Sequence, residues 1–157
     1  MRALAVAAYA HYVPRIGNKP APMTADYDAL ARSAKVTLAW LDDVLVGILV
    51  LEARGEEAWI ENVAVDPAMQ GSGLGSELLR RAEADARAAG CVVAKLYTNE
   101  RMTENLEFYP RRGYAETERR RDGGFNRVFF EKKLTDAGHA KRATEASVSP
   151  GEFDQKG

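Results

Sequence analysis

Residues 63–84, VAVDPAMQGSGLGSELLRRAEA, put Gly71, Gly73 and Gly75 where a loop becomes an amphipathic helix. Glycine lets the backbone approach a ligand closely and take conformations that other residues avoid. The first N–H groups of the following helix have no partners within it. They also carry the positive end of the helix dipole. This spacing therefore suits the holding of a phosphate or pyrophosphate by main-chain amides. One glycine would read as a tight turn, but three at alternate positions before a strong helix point to a ligand. A second feature is Glu61, a carboxylate inside the apolar segment AWIENVAV. A charge there needs a partner or a function. Apolar residues change parity between Ile60 and Val63, which fits a β-bulge near Glu61-Asn62.

Other chemistries fit less well. A nucleoside-triphosphate loop needs Gly-Lys-Ser/Thr, absent here. The dinucleotide pattern G-x-G-x-x-G/A is nearly met by Gly71 to Ser76, with serine in the last place. That pattern belongs directly at a strand end within repeated βαβ units. Here Asp66 to Gln70 intervene. One cysteine, Cys91, and two histidines, His11 and His139, cannot build an ordinary Cys/His zinc site, so no metal is expected. Cys91 reads as a core residue at a strand start. Arg119-Arg120-Arg121 reads as a solvated hairpin face.

The elements that must position these residues follow from periodicity. Residues 2–13 suit a helix, with Leu4, Ala8 and Tyr12 recurring every fourth residue. VPRIGNKPAP reads as loop because of its three prolines. Thr24 is placed to cap a helix over ADYDALARSAK. VTLAWL, VLVGILVLEA and AWIENVAV are strands joined by short turns, an antiparallel meander. After the glycine loop, Leu74, Leu78, Leu79, Ala82, Ala86 and Ala89 mark one helical face, ended by Gly90. CVVAKLYT is a strand that this crossover makes parallel to AWIENVAV. TENLEFY is a short helix, Asn99 a cap or turn residue, and GYAETERRR pairs with FNRVFFEKKL as a hairpin. The fold class is α/β with a mixed sheet.

The length of 157 residues fits one domain, expected over 1–134, with a polar and mobile tail over 135–157. A formal net charge of -1 supplies no global field for nucleic acid or an anionic membrane, so neither is expected as a partner. No uncharged apolar run approaches the roughly 18 residues of a membrane helix. The opening MRALAVAAYA faintly mimics a signal peptide, but it is short, alanine-rich and followed by more helical pattern. A lone cysteine fits a reducing compartment, and a cytoplasmic location is expected.

Gln70-Gly71-Ser72-Gly73-Leu74-Gly75 resembles the Q/R-x-x-G-x-G/A motif of the GCN5-related N-acetyltransferase (GNAT) superfamily. ENVAVDP before it, and LYTNERMTENLEFY and RRGY after it, are similar to the same superfamily in the same order. The resemblance implies a sheet splayed between two strands with acetyl-CoA in the gap. The pantetheine arm would pair with the backbone around Val63, Ala64 and Val65. The pyrophosphate would meet amides of Gln70, Gly71, Ser72, Gly73, Leu74, Gly75 and Ser76. Tyr109 would be the general acid beside the sulfur, since a phenol with reference pKa near 10 keeps its proton at neutral pH. Glu61 is the candidate base, unless water removes the proton. A backbone N–H near Val63 would stabilise the oxyanion. Asn105 would touch cofactor or substrate, although relatives carry asparagine where this chain has Met102. Tyr9, Tyr12 and Arg15 would border the acceptor.

Two departures stand out. Relatives begin with a strand before the first helix, whereas this chain starts in the helix. Either the start is internal or the first strand is missing. VTLAWL would then be an exposed edge open to pairing in a homodimer. Pro110 directly follows Tyr109 and biases it away from helical backbone. The function expected is acetyl transfer from acetyl-CoA to a small-molecule amine or protein amino group. The alternatives are an acyl-CoA-binding sensor without turnover and, further off, a dinucleotide-binding oxidoreductase.

Overall fold

The computed structural model describes residues 1–134; the tail expected over 135–157 lies outside the described residues. The chain opens with α1 (Arg2–Tyr9), which runs through a single turn at Ala10–Tyr12 into α2 (Val13–Ile16). Then come α3 (Ala21–Thr24) and α4 (Tyr27–Ser33). The meander is β1 (Lys35–Leu41), β2 (Val44–Arg54) and β3 (Glu57–Val65). The crossover helix α5 (Leu74–Ala88) leads to β4 (Val93–Asn99). The short α6 (Thr103–Phe108) precedes the hairpin β5 (Ala115–Asp122) and β6 (Phe125–Lys133). The six strands form one mixed sheet in the order β1-β2-β3-β4-β6-β5.

The two faces are covered unequally. On one face, Leu78, Leu79, Ala82 and Ala86 of α5 pack against Leu49, Leu51, Leu96 and Phe130. Burying each leucine contributes about 1.5–3 kcal/mol. Gly47 lets α5 come close, because a Cβ there would lie 3.0 Å from Leu78 Cδ1 and 3.1 Å from Ala39 Cβ. On the other face, Leu4 and Ala8 of α1 cover Ile48, Val50 and Ala64. α1 reaches only the β2–β3 side of the sheet. β1 is an edge strand, as expected, with Trp40, Leu41 and the neighbouring Val44 exposed.

The feature that makes a site is a bulge. Val50 opposes Asn62 while Leu51 opposes Ile60, so Glu61 is the extra residue on β3. A bulge bends its strand and ends regular pairing. Accordingly β3 pairs with β4 only from Glu57↔Val93 to Trp59↔Lys95. Beyond that point β4 stays paired with β6 through Asn99↔Arg127, and a gap opens between β3 and β4. The parity change at Glu61-Asn62 and the parallel crossover are both as expected.

Three expectations need correction. The proline-rich segment after Tyr12 is not all loop: α2 and α3 are single helical turns. Pro14 and Pro22 stand in their first turns, where no intrahelical N–H bond is required. α4 is capped by Asp26, not Thr24. The Asp26 carboxylate accepts from the N–H groups of Asp28 at 3.1 Å and Ala29 at 3.0 Å. Tyr109 is helical despite Pro110, with φ -71 and ψ -45. Pro110 opens a new 3-10 turn, Pro110–Arg112, so its missing N–H falls at a helix start.

Candidate active site

The loop before α5 is set by its first residues. Asp66 donates its N–H to Val46 O at 2.8 Å, and its carboxylate accepts from Ala68 N at 2.8 Å. Gly73 is the N-cap residue of α5 with φ +90, a backbone that favours glycine. A Cβ on Gly73 would meet nothing within 4 Å, so the requirement is conformational rather than steric. Among the described residues, the amides of Gly75 and Ser76 have no backbone acceptor. Arg112 adds a cation at this end of the helix: its Nε donates to Ser76 Oγ at 2.9 Å, and its guanidinium lies 3.5 Å from the centre of the Phe108 ring. The helix start abuts the gap, since a Cβ on Gly75 would be 3.6 Å from Phe108 Cζ and 3.8 Å from Val65 Cγ2.

Tyr109 stands at the gap. Its ring is fixed edge-on to Phe108 and Tyr114, with centroids 5.2 and 5.9 Å away. Burial pushes its phenol up to about 12, Tyr12 adds to the rise and Arg112 opposes it. The hydroxyl therefore holds its proton at neutral pH and can donate it.

A cavity of about 210 Å³ opens on the far side of the gap, between the α1–α4 segment and strands β3, β4 and β6. Tyr9, Glu61, Asn62, Tyr97, Asn105 and Tyr109 all reach it. The Tyr9 hydroxyl lies 2.7 Å from Asn62 Oδ1 and 3.1 Å from Val63 O. Asn62 Nδ2 donates to the Tyr27 hydroxyl at 3.1 Å, and Tyr27 donates to Pro22 O at 2.7 Å. This buried chain ties α1 and α4 to the bulge. Glu61 lies 3.0 Å from Arg54, which also holds Glu52 at 2.7 Å. Burial raises the Glu61 carboxyl above its ordinary value, and Arg54 opposes the rise.

The model of the acetyltransferase (GNAT) family matches residues 6–114. The chain belongs to that family. An aminoalkylphosphonate N-acetyltransferase of Salmonella typhimurium is 40% identical to this chain over 58 residues, 37% of its length. The match spans only 38% of that relative's length. A GCN5-related N-acetyltransferase of Rhodopseudomonas palustris superposes with a TM-score of 0.71 at 21% identity, covering 85% of this chain and 87% of its own. The PaiA N-acetyltransferase of Thermoplasma acidophilum, solved with coenzyme A, gives 0.69 at 17% identity over 84% and 89%. A GNAT acetyltransferase of Elizabethkingia anophelis with acetyl-CoA bound gives 0.60 at 22% identity over 69% and 81%. These likenesses show the fold.

The residues singled out from sequence do not share one place. Glu61, Val63, Tyr9, Asn105 and Tyr109 meet at one cavity. Residues 70–76 form the turn into α5, with Gln70 extended and exposed. Ala64 is buried beneath α1, while Val63 and Val65 pack toward the α5 face. Tyr12 and Arg15 do not line the cavity, because Glu104 draws both: the Tyr12 hydroxyl lies 3.3 Å and Arg15 2.8 Å from its carboxylate. Asn105 spends a donor on Thr98 Oγ1 at 3.0 Å, which braces α6 against β4. Asn99 ends β4 and opens the turn after it, its side chain accepting from Arg101 N at 2.9 Å. Cys91 is buried in the core. Three participants escaped sequence reasoning: Asn62, Tyr27 and Arg112. A polar Asn62 beside Glu61 inside an apolar strand was a signal, whereas the 36-residue reach from Arg112 to Ser76 had none. Among the described residues no three His, Cys, Asp or Glu side chains converge as a metal site, and no helix is long and apolar enough to cross a membrane.

Proposed function

We propose that this acetyltransferase takes its acetyl group from acetyl-CoA and passes it to a primary amine by direct attack in a ternary complex. The observation that carries the reading is the gap between β3 and β4. An open amide cradle at α5 lies on one side, a closed-in cavity on the other, and Tyr109 between them. In the cradle, the amides from Gly71 to Ser76 hold the pyrophosphate, with the N-terminal dipole of α5 behind them. The unpaired edge of β3 at Val63 to Val65 receives the pantetheine arm.

The step balances as follows. The amine nitrogen gives its lone pair to the thioester carbonyl carbon, and a C–N bond forms. The carbonyl becomes an oxyanion, which a backbone N–H near Val63 stabilises. The C–S bond then breaks and the thiolate takes the Tyr109 proton. The proton lost from nitrogen passes to Glu61, directly or through water. Asn105 holds α6 and therefore Tyr109 in place. Cys91, the sole cysteine, is buried in the core with its thiol pushed up by burial, so it offers no acyl carrier. The cavity's size favours a small amine over a protein amino group. A cytoplasmic location and a homodimer joined at the exposed β1 edge complete the reading.

Calorimetry with acetyl-CoA and thiol release against an amine panel test it. Micromolar binding with amine-dependent thiol release is expected. Tight binding without release to any amine identifies a sensor instead, and binding of NADH in place of acetyl-CoA identifies an oxidoreductase.

A further inference from the structure

Resting on that reading, we infer the acceptor's class: a monoamine with an apolar or aromatic body and no anionic group, its ammonium at Glu61. Three observations lead there. The first is charge. One guanidinium, Arg54, serves two carboxylates, Glu52 at 2.7 Å and Glu61 at 3.0 Å. Of these three, only Glu61 lines the cavity, and it shares its guanidinium with a second carboxylate. The cavity's own arginine, Arg127, acts on Glu61 through space but is held by other groups. Its Nη1 pairs with Asp122 at 3.2 Å, and its guanidinium stacks 4.2 Å from the centre of the Tyr97 ring. An ammonium entering here is attracted to Glu61, and an anion placed beside that carboxylate is repelled.

The second observation is the wall. Pro22, Leu30, Ile60, Met102 and Phe125 line the cavity beside the Tyr97 ring. Such surfaces hold an acceptor by removing its apolar area from water. The third is that the polar groups nearby are already engaged. Tyr9 bonds to Asn62, Asn62 to Tyr27, Tyr27 to Pro22 O, and Asn105 to Thr98. A second polar head placed against this chain of bonds would have to break one of them or go unsatisfied, either of which weakens binding.

The test compares 2-phenylethylamine and hexylamine with 2-aminoethylphosphonate and β-alanine as acceptors for the full chain, read by thiol release from acetyl-CoA. The apolar amines should be favoured at least about tenfold in kcat/KM. 2-Phenylethanol, the uncharged counterpart, should inhibit competitively. In Glu61→Gln the KM for 2-phenylethylamine should rise while the inhibition constant of 2-phenylethanol stays put, which separates loss of the charge from loss of the pocket's shape. Preference for the anionic amines, lost in Arg127→Met, would overturn the inference and leave acetyl transfer standing. Equal rises for the amine and the alcohol in Glu61→Gln would overturn the role of Glu61. Acetyl-CoA binding with no acceptor acetylated in either arm would sink the transfer reading, and this inference with it.

Discussion

The glycine loop before α5 and the cavity beneath α1 face each other across one gap, yet they are built differently. The loop works through backbone: amides at a helix start and a left-handed Gly73. Its parts are neighbours in sequence. The cavity works through side chains from α1, α4, β3, β4, α6 and β6, brought together by one bulge. The lesson is that the donor side tolerates change in side chains but not in chain conformation, while the acceptor side does the reverse. Each prediction below breaks or sharpens that contrast.

The largest effect should come from the support beneath the loop. Glu83 is buried, accepts from the Tyr114 hydroxyl at 3.0 Å and lies 3.1 Å from Lys132. Glu83→Ala strands a buried hydroxyl and an ammonium. Removing one member of a buried pair costs about 3–5 kcal/mol, and partial exposure of Lys132 places this one near the lower end. Urea unfolding should show a loss of about 3 kcal/mol, and Glu83→Gln less.

Next is the group between the two sides. Tyr109→Phe removes the proposed general acid, a group used only in the transition state, so kcat should fall with KM nearly unchanged. The drop should be about 10²-fold or less, the low end for general acid catalysis, because a thiolate leaves readily. Pro110→Ala should leave kcat near the parent value, since Tyr109 is already helical. Full activity in Tyr109→Phe would make it a packing residue. A Pro110→Ala as slow as Tyr109→Phe would make the proline a positioning element.

What was readable in advance follows the same division. The meander, the crossover and the hairpin rest on alternation and on turn residues such as Asp122-Gly123-Gly124, which are local. The splay was readable as well, because a bulge leaves a parity slip at Glu61-Asn62. Capping was misjudged: Thr24 and Asp26 both suit an N-cap, and only tertiary placement chooses between them. Pro110 misled because a proline that starts a new turn and one that ends a helix look alike in sequence. Tyr12 and Arg15 were drawn to Glu104, and Arg112 to Ser76, by contacts that no short-range pattern encodes.

The donor side has its own direct probe. Gly73→Asp puts a carboxylate at the proposed pyrophosphate site and a side chain on backbone at φ +90. Affinity for acetyl-CoA should fall more than about tenfold, or 1.4 kcal/mol. Gly73→Ala isolates the conformational part. Calorimetry on folded variants that finds unchanged affinity would remove the loop from the site. The smallest effect lies on the acceptor side. Arg15 beside Glu104 holds its carboxyl down to about 2. A depressed carboxylate contributes stability that is full above about pH 4.5 and lost as pH falls through about 2. The pair is largely exposed and screened by solvent, so the contribution should be small. Unfolding of Glu104→Gln against the parent should converge across that acid window and differ above it.

If donor and acceptor bind on opposite sides of one gap as proposed, with the sole cysteine buried in the core, both substrates must be bound before transfer. Initial rates measured while acetyl-CoA and the best amine are varied together test this most directly. Double-reciprocal lines that intersect are the predicted result. Parallel lines, with an acetylated enzyme isolable before any amine is added, would contradict it.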